Sequence, residues 1–278
     1  MMSNATEEEK IVCKPTSWFY SRVIAMILMF TIFGALFLKD GLTGYREKNL
    51  HYVMYHAFQD TGKHYDLLKD KGGVTEAQWE KEVEELELTV PDDGLDVLPA
   101  DVVTALPELL VNSYSKFSEQ GGQQGTIDLW KQYTRKLGWS DEKPKKIYGA
   151  SEIRNQFISA AVVGVLLLVA LFILIRTSRR SISADGEALY TQTGQRIRYQ
   201  DMVKLDKRRW DTKGVATVFY NEGGDERKAK IDGMVYGQFK SEYGAPAEKL
   251  FQRVLANFKG VILEYDDAEE SVEAGEEA

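Results

Sequence analysis

The sequence predicts an α+β membrane protein. It should have two transmembrane helices, a small and mainly helical extracytoplasmic domain between them, and a C-terminal antiparallel sheet closed by an amphipathic helix. Three observations lead there. Val23–Leu38 and Phe157–Ile175 are uncharged apolar runs, apolar residues recur at helical spacing between positions 46 and 137, and after Ser181 the period shortens to that of strands.

The N-terminal segment 1–17 is polar and is expected to be disordered. The first span, 18–38, reaches membrane-crossing length by including Trp18, Phe19 and Tyr20, aromatic residues suited to a bilayer boundary. Arg22 lies one turn inside, where its stem can extend back to the headgroups. A secretory signal peptide is the competing reading. The run ends in Gly34-Ala35-Leu36-Phe37-Leu38-Lys39, without the paired small residues of a cleavage site, so an uncleaved anchor is expected.

The second span, 154–176, is the stronger signal. Of the nineteen residues Phe157–Ile175, fourteen are Leu, Ile, Val or Phe. At roughly −0.3 to −0.6 kcal/mol each near a helix centre, they supply about −4 to −8 kcal/mol for insertion. Ser151 is expected to cap this helix, with Glu152 at its positive end. Ala160 and Gly164, like Thr31 and Ala35, stand four apart, a spacing that allows close helix pairing within or between chains.

Between the spans, residues 39–153 open with a turn-rich exit, Asp40-Gly41-Leu42-Thr43-Gly44. Helices are expected over 46–59, over Glu76–Leu88 with Thr75 as N-cap, over Asp101–Phe117 with a break near Pro107, and around Trp130, Tyr133 and Leu137. Gly121-Gly122-Gln123-Gln124-Gly125 reads as a loop.

Strands are expected at Glu187–Thr191, Gln195–Tyr199, Met202–Arg209, Val215–Tyr220 and Arg227–Ile231, with Asn221–Asp225 as a hairpin loop. A helix begins at Pro246 and carries Leu250, Phe251, Val254, Leu255 and Phe258 as one apolar stripe. This element order over 181–263 resembles a small pleckstrin-homology-like domain of the bacterial kind. With the two spans, the chain is similar to uncharacterised two-span bacterial membrane proteins. The resemblance implies a scaffold for peptide or membrane-surface contacts in the bacterial inner membrane.

Charge fits a two-sided arrangement. The net charge is −8, and the stretch 264–278 holds eight acids and no base, so the remainder sums to zero. Within it, 39–153 carries fourteen bases against twenty-one acids and 176–263 seventeen against eleven. The Arg176, Arg179, Arg180 cluster outweighs charges in the long intervening segment, which places both termini in the cytoplasm and 39–153 outside. A modest positive balance spread over strands and followed by acid argues against nucleic-acid binding.

No catalytic, cofactor or metal motif is present. Cys13 is the single cysteine and reads as a free thiol; His51 and His56, five apart, diverge by about 140° on a helix. His51, His56 and His64 therefore read as surface or interface residues, and the Glu80–Glu87 run as a solvated helix face. The leading expectation is a non-enzymatic scaffold or assembly component. It would contact the bilayer and a protein partner, or self-associate through its spans, with docking at a sheet edge or at the Leu250–Phe258 region. The alternative is lipid or ligand sensing by a basic surface of Arg196, Arg198, Lys204, Lys207, Arg208 and Arg209, with Arg176, Arg179 and Arg180 also facing headgroups or a partner.

Overall fold

The computed structural model describes residues 10–102, 105–237 and 245–265. The chain divides into two compact units, one made of Met1–Phe30 with Val165–Ala278 and the other of Thr31–Gly164. The class is α+β, with two long apolar helices: α1 (Ser17–Lys39) and α6 (Ala150–Ser178).

Residues 11–13, expected within a disordered terminus, form a strand, β1 (Ile11–Cys13). It pairs antiparallel with β2 (Ile182–Ala184), in the register Ile11↔Ala184 and Cys13↔Ile182. The next residues continue the attachment: Thr16 N–H donates to the Val235 carbonyl at 2.8 Å and Gly237 N–H to that of Lys14 at 2.9 Å. Thr16 Oγ1 accepts the Phe19 N–H at 3.1 Å, capping α1 as it leaves the domain. Tertiary pairing thus orders a segment too short to announce itself as a strand.

The rest of this unit contains β3 (Ala188–Tyr190), β4 (Arg196–Arg198), β5 (Met202–Asp206), the short α7 (Trp210–Lys213), β6 (Val215–Glu222), β7 (Asp225–Asp232), α8 (Pro246–Asn257) and β8 (Val261–Leu263). Two four-stranded sheets result, ordered β1-β2-β3-β4 and β7-β6-β5-β8. The second is mixed, because β8 runs parallel to β5; the sequence predicts neither that strand nor two sheets. The β6–β7 hairpin closes Glu222 against Asp225, with Gly223 and Gly224 both at positive φ as a two-residue turn requires.

Pro246 opens α8 as expected. Its Leu250, Phe251 and Val254 belong to one buried core with Leu189 and Ile197 of one sheet and Leu205 and Val218 of the other. Trp210 stacks on Phe251 at 3.9 Å and donates its indole N–H to Glu248. Most of the apolar stripe expected to dock a partner at Leu250–Phe258 is therefore taken up by the domain's own core, with Leu255 left half-buried.

In the other unit, α1 does not stop at a turn. Asp40–Gly44 forms a π-helical stretch that leads into α2 (Tyr45–Asp70). Arg46 Nη1 donates to the carbonyls of Gly41 at 2.6 Å and Leu42 at 3.1 Å, partnering oxygens that a wider turn leaves poorly aligned. α3 (Glu76–Glu84) begins at Thr75 as expected, where the Gln78 side chain accepts the Thr75 N–H, but ends before Leu88.

The expected helix at 101–117 is reduced to α4 (Glu108–Val111), followed by α5 (Tyr114–Leu137); Val103 and Thr104 lie outside the described residues. The loop expected at Gly121–Gly125 shrinks to a break at Gly121, and Gly122–Gly125 are helical within α5. Gly121 (φ 80°, ψ 163°) kinks the helix, and Asp66 accepts the Gly122 N–H freed there at 2.7 Å. Gly122 faces Gly62 of α2 so closely that a Cβ on Gly62 would lie 2.7 Å from the Gly122 carbonyl oxygen. Glycine is present for helix–helix approach. Phe58, Tyr65, Trp79, Phe117 and Trp130 fill the core around this crossing.

Ser151 lies inside α6 instead of capping it. Asp93 accepts the Ala150 N–H at 2.9 Å, and Glu152 turns back to the Gly149 N–H. Of the small residues expected at a helix contact, Ala160 is buried while Thr31 and Ala35 are exposed; Gly34 faces Val163 and Gly41 faces Phe157 instead. From Asp266 onward the acidic stretch lies outside the described residues.

Candidate functional site: the basic face of the second sheet

Period-two alternation decides which side chains leave the core of the β7-β6-β5-β8 sheet. Along β6, Ala216, Val218 and Tyr220 are buried, so Val215, Thr217 and Phe219 face outward. The register then sets two cross-strand rows on that outer face, Lys204–Phe219–Lys228 and Asp206–Thr217–Lys230. Arg208, Arg209 and Tyr265 close one end, leaving a concavity of about 630 Å³. Lys204 Nζ stands 4.9 Å from the centre of the Phe219 ring, a cation–π contact.

The charges there are partly compensated. Asp206 receives a bidentate guanidinium from Arg208, at 2.8 and 3.1 Å, which holds its carboxyl below the usual carboxylate range. Lys230 pairs with Asp232 at 2.7 Å. Arg209 and Lys228 form no ion pair with any described residue. Five cations, Lys204, Arg208, Arg209, Lys228 and Lys230, thus meet two carboxylates around an aromatic floor. Such side chains supply positive charge and N–H donors only, an arrangement with the chemistry to hold an anion.

The expected basic residues do not form one surface. Arg196 and Arg198 lie on β4, in the other sheet, paired with Glu187 at 2.5 Å and Asp201 at 2.8 Å. Lys207 is tied to Glu264 at 2.8 Å. Arg176, Arg179 and Arg180 sit at the C-terminal end of α6, where the helix dipole favours cations, and none lines the concavity. Arg208 and Arg209 do line it, and Lys204 stands on the same outer face against Phe219 without lining the concavity itself. Lys228 and Lys230 were missed, although folding the sequence about Gly223-Gly224 sets Lys228 opposite Phe219.

A second concavity, of about 540 Å³, lies in the middle unit between Tyr52, His56, Asp60, Asp92 and Tyr148. The histidines have separate surroundings. His51 stacks on Trp130, and burial lowers its pKa; His56 packs on Tyr52; His64 meets Glu82 at 3.1 Å. His51 is thus a packing residue, half-buried among tryptophans. Among the described residues no three His, Cys, Asp or Glu converge as a metal site. No protein-family profile, curated protein or solved structure matches this chain.

Proposed function

We propose that this chain is a two-pass integral membrane protein of the bacterial inner membrane, with both termini cytoplasmic and 39–153 on the other face. It acts as a non-enzymatic scaffold or assembly component. The carrying observation is that β1, before the first apolar helix, pairs with β2, after the second. Two strands of one sheet occupy one compartment, so a chain that crosses once through α1 must return through α6.

Burial supports lipid as the solvent of those helices. Only 6% and 11% of their most apolar windows are buried. Eighteen large apolar side chains on α1 and α6, from Ile24 to Leu38 and from Phe157 to Ile175, are exposed. At about 1 kcal/mol for each half-exposed side chain, water would oppose this arrangement by roughly 15–20 kcal/mol, more than a typical domain's whole stability. Arg22 lies over the Trp18 ring at 3.9 Å, bent toward the N-terminal end of α1 as a snorkelling residue would be. Removal of the first span as a signal peptide would also take β1 and its core residue Cys13 from the sheet.

Two sheets packed with one C-terminal helix support a pleckstrin-homology-like docking domain. Its basic concavity favours an anionic partner surface, as in the sensing alternative, though on a residue set different from the expected one. Single-cysteine labelling tests the topology, with Cys13 buried and silent. In sealed inside-out vesicles, an impermeant maleimide should label Glu226→Cys and spare Ser118→Cys until detergent is added. Equal labelling of both before detergent would refute the two-pass arrangement.

A further inference from the structure

We propose that the concavity of the middle unit, lined by one face of α2 and by the segment 89–97, binds an alkyl diamine or polyamine. The inference concerns this unit alone, goes beyond the scaffold reading and holds whatever the topology of the spans.

The lining combines two kinds of surface. Tyr52, His56 and Asp60 stand four apart on α2 and so share one face of that helix. Val53, Val97 and Ile147 contribute apolar surface to the same lining. Asp92 and Asp93 are presented by a turn that the Gly94 N–H closes on the Pro91 carbonyl at 2.8 Å. Among the described residues no Lys or Arg lines the concavity. Its volume of about 540 Å³ falls within the range of small-molecule sites, about 300–1,000 Å³.

Compensation of these acids is slight. Asp60 meets Lys63 at 2.9 Å, but both side chains are exposed and such a pair contributes little. Asp93 uses Oδ2 to accept the Ala150 N–H, and Asp92 forms no ion pair or hydrogen bond with any described residue. The aromatic wall already draws ammonium groups of the chain itself. Lys146 Nζ lies 4.8 Å and Lys48 Nζ 5.6 Å from the centre of the Tyr148 ring. Neither lysine lines the concavity, and each is paired elsewhere, Lys146 with Glu152 and Lys48 with Asp40 at 3.6 Å.

The ligand chemistry follows. Ionised carboxylates only accept hydrogen bonds, so the group they hold must bring positive charge and N–H donors. Acids on two separate segments favour a ligand charged at more than one point. The apolar and aromatic surface beside them favours methylene groups over a hydrated metal ion, and among the described residues no three metal-ligating side chains converge.

Equilibrium dialysis of the full-length chain in uncharged detergent with radiolabelled spermidine tests this. A single equivalent should bind saturably; 1,4-diaminobutane should compete for it, whereas magnesium at the same ionic strength and neutral 1,4-butanediol should not. Asp92→Asn combined with Asp93→Asn should weaken binding by about tenfold or more, the loss expected for even one charge-assisted hydrogen bond. Asparagine at 93 keeps an acceptor for the Ala150 N–H, so the start of α6 is preserved. Asp60→Asn, remote from that helix start, should weaken binding severalfold. Asp128→Asn, on α5 and outside the concavity, should leave it unchanged. Absent or unsaturable binding, equal competition by magnesium, or indifference to both the Asp60 and the Asp92–Asp93 exchanges would each overturn the proposal, the last by placing the amine on acids elsewhere in the chain.

Discussion

Replacing Gly62 with alanine places a methyl group where α2 and α5 touch backbone to backbone. A Cβ there would stand 2.7 Å from the Gly122 carbonyl oxygen and nearer still to the Thr126 hydroxyl. Ordinary carbon–oxygen contacts lie near 3.3 Å, so the helices must part by about 0.6 Å to clear the carbonyl, and the Thr126 side chain must in addition swing away from its bond to the Gly122 carbonyl. Forced overpacking costs about 1–3 kcal/mol, and a backbone clash belongs at the upper end. Alanine regains about 1 kcal/mol of helix propensity over glycine. The net expectation is a loss of about 2 kcal/mol, or a fall of roughly 8 °C in Tm at about 4 °C per kcal/mol for a domain of this size. Thermal unfolding of the full-length chain in detergent, followed by tryptophan fluorescence, reads this, because Trp79 and Trp130 lie in the core beside the crossing. Gly122→Ala should act alike, and the double variant should lose less than the sum of the two. An unchanged or higher Tm would mean that propensity alone governs the site, and the close-approach argument would fail.

Asn49 is fully buried and holds three backbone groups, donating to the carbonyls of Val97 and Tyr148 and accepting the Tyr148 N–H. Asn49→Ala should cost about 3 kcal/mol, and Asn49→Asp more, since a carboxylate would face two carbonyl oxygens; denaturant unfolding checks the order. Burial pushes the Cys13 thiol up to about 11, from 9.0. At pH 8 its thiolate is therefore roughly a hundredfold scarcer than in the unfolded chain, and maleimide should react only after denaturation. Because the folded pKa is the higher one, the thiol's contribution to stability is complete below pH 9 and lost as pH rises toward 11. The stability gap between the native chain and Cys13→Ala should narrow across that window. Asp93→Ala removes the acceptor at the start of α6 and should destabilise the middle unit by about 1 kcal/mol, a loss that Asp93→Asn should largely avoid; comparing their Tm values tests the cap.

The features legible in the sequence are those written in short range. The two apolar runs became the two long helices, with ends at Ser17, Lys39, Ala150 and Ser178. Thr75 starts α3, Pro246 starts α8, and Gly223-Gly224 turns the β6–β7 hairpin. Each rests on a residue's own torsional limits or on transfer of its own side chain from water, and needs no knowledge of distant neighbours.

Tertiary neighbours decided the rest. Three residues at 11–13 carry too little pattern to be a strand until β2, about 170 positions later, supplies hydrogen bonds. Gly121–Gly125 has the composition of a loop; the chain does break at Gly121, and Gly122–Gly125 are helical where Gly122 crosses Gly62, because glycine permits a backbone contact that any side chain would prevent. Glu152 satisfies the Gly149 N–H locally, but the acceptor for the Ala150 N–H at the start of α6 is Asp93, beyond the reach of any local motif. Likewise Lys204, Phe219 and Lys228 become one surface only through the register of three strands, while Arg196 and Arg198 are carried to another sheet. The sequence by itself determined which segments are apolar and where the chain turns. The meeting of particular segments, and hence the basic face, was decided by the free energy of burying them together.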